Sequence, residues 1–386
     1  MMLYEWYQKY DISYYGITIY GKNLFSPEPE PSKEKCRNFI EKHYKLGGKE
    51  ECMLFDFLDT YLENGKHLHT VSLYLMGIAF IAENSTIRKR LDKQLKSFLP
   101  QYESWYKTND SEMKNAYDFL YTWYLTALYH DVASCIENIR LPLNPTERQK
   151  TLEYYLGELD ITYSPYRFFP YRTNMVPQRF SEELVKNYFY YRANNGSCEH
   201  GIIAGYVFFD RFVKNFLKFS QDKSVEETGF IKSEGNLTWH IEQISHAAFV
   251  ADAIICHNLW MSNNEILYSA YGLSPLLYTT HEENKLSTGS YPLQFMLCLL
   301  DTIEPIKRFG PKPDYEGSLS AKEVLSNIGI EFQETSIVLS WNNEIEEQDS
   351  FNKWKNSIMA LNQWMNVECE DMNKNRPSIK ISWMVD

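Results

Sequence analysis

His130 and Asp131 stand side by side in Trp123-Tyr-Leu-Thr-Ala-Leu-Tyr-His-Asp-Val-Ala, near the end of an apolar helical run. An imidazole and a carboxylate held at one point suit a hard or borderline divalent metal, and a carboxylate can bridge two such ions. The dipeptide alone is common. Its weight comes from similar residues on or beside other apolar stretches: His69 upstream, then Glu199-His200-Gly201, then His257-Asn258 after Ile254-Ile-Cys, then Asp301 in Leu299-Leu-Asp-Thr-Ile-Glu. Asp301 has the strongest physical warrant. A carboxylate inside a continuous apolar helix is unfavourable unless it is paired or metal-bound.

Several positions admit more than one reading. His67 forms an HxH with His69, which opens an apolar helix over 71–81. A helix expected over 237–260 carries His240, His246 and His257. Residues 246 and 257 share a helix face but lie about 16 Å apart along the axis, so one metal pair cannot take both. His257 is the first choice and His246 the alternative. His130 also fits a histidine that caps a helix C-terminus. Glu199 is a candidate base or orienting group beside His200. Glu304, three residues beyond Asp301, either reaches the site or pairs with Lys307 or Arg308. Arg167, Arg172 and Arg179, with Lys214 or Arg211, are candidate phosphate-binding cations, since a guanidinium suits bidentate phosphate recognition.

In chain order the set reads His69, His130-Asp131, His200, His257, Asp301. In that order it resembles the HD-domain superfamily of metal-dependent phosphohydrolases, over residues 65–308. The resemblance implies a mainly α fold, an HD-domain or phosphodiesterase-like helical bundle whose helices each send a ligand to a central metal site. It implies that His69, His130, Asp131 and Asp301 hold a first metal and His200 and His257 a second, with Asp131 bridging. The cofactor is then two divalent ions of the Mn, Fe, Mg, Co or Ni type. The implied activity is hydrolysis of a nucleotide or cyclic nucleotide phosphoester through a metal-bridged hydroxide, with Asp131 and Glu199 as catalytic residues. Some HD-type proteins are similar in ligands but oxidise a substrate at a di-iron pair, and these ligand types suit iron as well as manganese. A di-iron oxygenase is therefore one alternative. A non-catalytic, metal-stabilised nucleotide-binding module is another. No Ser-His-Asp order, Gly-rich phosphate loop or dinucleotide fingerprint competes.

The elements that must position these residues are mostly helical from residue 32 to about 310. Residues 1–31 form an aromatic-rich, strand-like segment ending in the Pro-Glu-Pro-Glu-Pro joint, with Ser32 as a candidate N-cap. The helical pattern breaks at 160–180, where prolines alternate with arginines and rings, and at 220–238, which is polar. The first break marks an insertion of about 155–192, and long insertions between scaffold elements commonly serve function. Residues 311–386 change character: strands are expected near 328–332, 335–341 and 379–383, with an amphipathic helix over 351–365. This predicts a small α/β appendage, with the N-terminal strand as a pairing partner.

The chain has 386 residues, 44% of them apolar and 23% charged, enough for one large domain with appendages. Its net charge of −12 argues against a duplex nucleic acid as partner but leaves a small phosphoester, such as a nucleotide, open. Aromatic residues reach 16%, with 29 tyrosines. They serve chiefly as core, or line a substrate cleft. Seven scattered cysteines without a CxxC predict reduced thiols. With no leader pattern and no apolar run of about 18 residues, the expectation is a cytoplasmic chain with no membrane partner. The oligomeric state is left open.

Overall fold

A computed structural model describes residues 1–3, 5, 17–19, 22–25, 66–98, 120–134, 144–167, 178–221, 230–232, 238–240, 242–309, 319–346, 350–372 and 377–384. Ser32, Arg172 and the proline joint lie outside them.

The fold is mainly helical with a small antiparallel sheet near its C-terminus. A two-stranded hairpin comes first, β1 (Ile17–Ile19) and β2 (Lys22–Phe25). The early strand thus pairs locally. It is Met2 that bridges the C-terminal sheet, at Gly329.

Helices α1 (Lys66–Glu83) and α2 (Ser85–Phe98) follow, bent by 100°. The bend is fixed at Asn84, which is fully buried. Its Oδ1 accepts from Ile87 N at the start of α2, and its Nδ2 donates to the carbonyls of Gln333 and Glu334. From Leu68 to Ile81 α1 is buried on every face, as a helix apolar all round must be. Next come α3 (Leu120–Tyr129), α4 (Leu152–Glu158) and α5 (Glu182–Asn194), the last capped by Ser181. Helices α4 and α5 thus take the two ends of the expected insertion, whose residues 168–177 lie outside the described residues.

Helix α6 (His200–Gln221) lies along α7 (Glu242–Cys256). The close approach needs small residues. A Cβ on Gly205 would sit 2.8 Å from the carbonyl of Ala251, and one on Gly201 would sit 3.1 Å from that of Ile254. Between them the hairpin β3 (Phe230–Lys232) and β4 (Thr238–His240) takes residues expected to begin the α7 helix, so His240 lies on a strand. The chain continues through α8 (Glu265–Ala270), α9 (Pro292–Ile303) and the single turn α10 (Ile306–Phe309).

The C-terminal unit comprises α11 (Ala321–Asn327), β5 (Ile328–Gln333), β6 (Ser336–Trp341), α12 (Phe351–Met359), β7 (Val367–Asp371) and β8 (Ser378–Trp383). The sheet order is β5-β6-β8-β7, all antiparallel. The expected amphipathic helix stops at Met359 and tightens into a 3-10 turn over Ala360–Gln363. This unit shares the core of the helical body. Phe80 of α1 packs against Phe332 and Trp383, and Phe295 of α9 also meets Trp383. Among the described residues no single helix is long and apolar enough to cross a membrane.

Candidate metal centre

Five helix ends converge on one buried point. His69 comes from the first turn of α1, and His200 is the first residue of α6. His130 and Asp131 follow the last residue of α3, and His257 follows the last residue of α7. Asp301 sits in the last turn of α9. The four histidines and Asp131 are buried, and Asp301 is 10% exposed.

The ring orientations are set locally. His130 Nδ1 meets the carbonyl of Ala127 at 2.8 Å, and His257 Nδ1 meets that of Ile254 at 2.5 Å. A carbonyl only accepts, so each Nδ1 carries the proton and each Nε2 presents a lone pair. His69 Nδ1 lies 2.6 Å from Glu304 Oε2, so it too carries a proton on Nδ1. His257 Nε2 is buried with no hydrogen-bond partner. Burial, with His130 and His200 close by, pushes the His257 pKa down to about 3, so the ring is neutral at physiological pH.

The acceptor atoms crowd together. His69 Nε2 stands 3.2 Å from His130 Nε2, 3.0 Å from Asp301 Oδ1 and 3.8 Å from Asp131 Oδ2. His130 Nε2 is 3.6 Å from both Asp131 Oδ1 and Asp301 Oδ1. On the other side His200 Nε2 lies 2.8 Å from Asp131 Oδ1 and 3.2 Å from Asn258 Nδ2. Two sets of ligand atoms each fall within 4.8 Å of one another: His69, His130 and Asp131, and Asp131, His200 and His257. Asp131 belongs to both. Lone pairs and carboxylate oxygens at such spacings repel unless a proton or a cation lies among them. The donor set fits borderline divalent ions, and the unsatisfied Nε2 of His257 is the clearest sign of a ligand position. The cluster could hold metal ions.

Charge balance comes from Lys307, whose Nζ contacts both oxygens of Asp301, at 2.9 and 3.0 Å, and lies 4.0 Å from Asp131 Oδ2. Burial opposes the Asp301 charge. The Lys307 ammonium, with His69 close by, overcomes that, holding its carboxyl well below the ordinary range. For His69, burial works against protonation, but the bonds to Asp301 and Glu304 prevail and raise its pKa. Glu304 is fully buried. It takes Ser72 Oγ and Ile306 N on Oε1, and Lys307 N with His69 on Oε2. Of its two readings from sequence, this is the one at the site.

The other candidates fall elsewhere. His246 bonds Thr122 Oγ1 at 2.8 Å in the seam between α3 and α7, and His257 is the histidine of that pair at the cluster. His67 lies on α1, next to the described side chains. Glu199 pairs with Arg192 Nε at 3.3 Å, and the Arg192 guanidinium lies over the Trp260 ring. Arg167 is largely exposed and faces Glu182. Lys214 is paired with Asp210 and Asp160, and Arg211 reaches the Leu159 carbonyl. Arg179 is buried, its Nη2 on the Asn284 carbonyl and its ring neighbour Phe180 at 4.5 Å. The cations beside the cluster are Lys307 and Arg308, which line a cavity of about 390 Å³ together with His257 and Asp301. Their position six and seven residues past Asp301 is the available sequence signal. The chain matches no protein-family model, no curated protein and no solved structure.

Proposed function

We propose that this chain is a metal-dependent phosphoester hydrolase of the HD type, acting on a small phosphoester such as a nucleotide or cyclic nucleotide. The observation that carries the reading is the sharing of Asp131 between two histidine-containing ligand sets, next to a cavity with two cations. Such a carboxylate suits a bridging position between two ions. His69, His130 and Asp301 would complete one side, and His200 and His257 the other.

A divalent pair held there supplies Lewis acidity and water with a pKa lowered toward neutrality. The remaining work falls to the protein. Glu304, Ala127 and Ile254 lock the Nε2 lone pairs toward the site before any ligand arrives. Lys307 keeps Asp301 ionised. Arg308 offers positive charge to the phosphoryl oxygens, where negative charge builds as the reaction proceeds. Water attacks phosphorus in line, the phosphorus–oxygen bond to the alcohol breaks, and the departing alcohol takes up a proton. Glu199 acts at a distance through Arg192, as a positioning residue.

The test is metal content by inductively coupled plasma mass spectrometry on anaerobically purified protein, wild type beside Asp131→Ala, followed by a phosphoester panel. About two equivalents of a divalent metal, lost in the variant, with turnover of bis-p-nitrophenyl phosphate or a nucleotide, support the reading. Dioxygen uptake with no phosphoester turnover overturns it in favour of the oxygenase chemistry. Bound metal with neither activity reduces the chain to a metal-stabilised binding module.

A further inference from the structure

The cavity beside the ligand cluster is lined by two chemically unlike sets of residues. One set is His257, Asp301, Lys307 and Arg308. The other comes from the C-terminal unit, through Asn356 on α12 and Gln363 and Trp364 just beyond it, together with Trp260. The C-terminal unit is thus a wall of the site.

Each set has a distinct chemistry. Lys307 is committed to Asp301, whereas the guanidinium of Arg308 makes no ion pair with any described residue. A guanidinium of this kind beside a cation-binding cluster suits a bidentate grip on phosphate. The amides of Asn356 and Gln363 each offer a donor and an acceptor to an incoming polar edge. Trp260 is 47% exposed, an unusual state for so large an apolar ring. Arg192 sits 5.9 Å from its ring centroid, so the ring is held from one side.

We infer that this cavity binds a mononucleotide, its phosphate at Arg308 and the metal ligands, its base against Trp260 and read by Asn356 and Gln363. The inference rests on the hydrolase reading for what happens to the phosphate, but the binding site stands on its own geometry. A volume of about 390 Å³ lies toward the small end of ligand pockets, which suits one base, one sugar and one phosphate. The net charge of −12 disfavours a long polyanion at the mouth. A planar base is the partner that uses both the indole and the paired amides.

The test is equilibrium binding to the full-length, manganese-loaded chain by titration calorimetry. The probes are nucleoside 5′-phosphonates of the four common bases, whose phosphorus–carbon bond resists hydrolysis, with methylphosphonate as the baseless control. At least one nucleoside phosphonate should bind more tightly than methylphosphonate by about tenfold or more, the scale of one stacked base. Trp260→Ala and the pair Asn356→Ala with Gln363→Ala should each remove most of that margin. Arg308→Gln should weaken all probes alike, by about tenfold, as expected for a lost charge-assisted bond. Metal content and melting temperature verify that each variant is folded. Equal binding of all probes, or a margin that survives these substitutions, overturns the assignment. A chain that keeps the margin but cleaves no phosphoester loses the hydrolase reading alone. One that cleaves bis-p-nitrophenyl phosphate without a margin loses the mononucleotide assignment alone.

Discussion

Replacing Glu304 by Gln changes one atom of a side chain whose two oxygens are both engaged. The Glu304 oxygens each take two donors: Ser72 Oγ at 2.6 Å and Ile306 N at 2.9 Å on one, His69 Nδ1 at 2.6 Å and Lys307 N at 3.0 Å on the other. A glutamine carries an amide NH₂ in place of one oxygen, so it must face two of these donors with hydrogens. If the NH₂ turns toward His69, the ring has to accept at Nδ1, and its proton moves to Nε2. That nitrogen then cannot ligate. If it turns the other way, the Ser72 hydroxyl and the Ile306 amide lose their acceptor inside a fully buried pocket. Groups that orient a metal-binding histidine typically govern affinity by about 10- to 100-fold, equivalent to roughly 1.4–2.7 kcal/mol. The effect should fall on the side of the cluster that uses His69. The side formed by Asp131, His200 and His257 makes no contact with Glu304 in the ligand sets. The assay is competition with a chromophoric chelator, resolving two binding steps. Glu304→Gln should weaken one step by that factor and leave the other within about twofold. If both steps match the wild type while the melting temperature drops, Glu304 serves only to tie down the turn before α10, and the reasoning about tautomers fails.

Gly201→Ala should strip metal from the other side, because the added Cβ would lie 2.6 Å from Cε1 and 2.8 Å from Nδ1 of His257. Retention of the wild-type metal content in that variant would show that the ring has room to shift. In chelator, the two buried rings should respond to pH with opposite sign. The raised pKa of His69 contributes stability present below the unfolded value near 6.5 and lost as pH rises through the folded one. The depressed pKa of His257, about 3, withdraws stability as pH falls below 6.5. Melting curves should therefore show His69→Gln more harmful at pH 6 than at pH 8.5, and His257→Gln less harmful at pH 5 than at pH 7.5; parallel profiles would contradict both assignments. Asp252, buried with Gln294 Nε2 at 2.8 Å, has its pKa raised to about 6, chiefly by desolvation. Its ionisation then opposes folding by on the order of 3 kcal/mol at neutral pH, so Asp252→Asn should flatten the loss of stability between pH 4 and 7, and an unchanged pH profile would refute this.

The cluster was legible in sequence because its chemistry conflicts with its surroundings. Asp301 in an apolar helix and His130-Asp131 after one are polar groups that burial would penalise without partners, and the structure brings them together with His69, His200 and His257. The helical class followed from apolar runs, and three of the four C-terminal strands followed from β-branched alternation. What escaped was set by contacts distant in sequence. The start of the α7 helix was read too early because Thr238–His240 pairs with Phe230–Lys232, a choice that local propensity does not reveal. Strand β7, Glu-rich and mostly exposed, owes its state to pairing with β8. Arginines are dense in the proline-rich break, and Lys214 lies on α6, whereas Arg308 lines the cavity that α10 shares with the C-terminal unit. No local pattern encodes that meeting.

The helix-end reading and the metal reading of His130 are compatible in one geometry. His130 and His257 each stand one residue past the end of an apolar helix, and each places Nδ1 on the carbonyl three residues back. The last turn of a helix has carbonyls with no partner of their own. A histidine there satisfies one with a ring N–H, and doing so forces the lone pair onto Nε2, on the far side of the ring. Capping the helix and presenting a metal ligand are therefore achieved by a single tautomer. Substitution by a residue that caps but cannot ligate separates the two roles. His257→Asn should retain most of the helix stability yet lose metal from the side shared with His200. His257→Ala should lose both, with an additional destabilisation of about 1 kcal/mol for the lost Nδ1–H bond to the Ile254 carbonyl. Melting temperatures measured in chelator, beside metal content measured without it, distinguish these outcomes. Equal destabilisation in the two variants would mean that the Nδ1 bond contributes nothing to α7, and that the ring is held by the site alone.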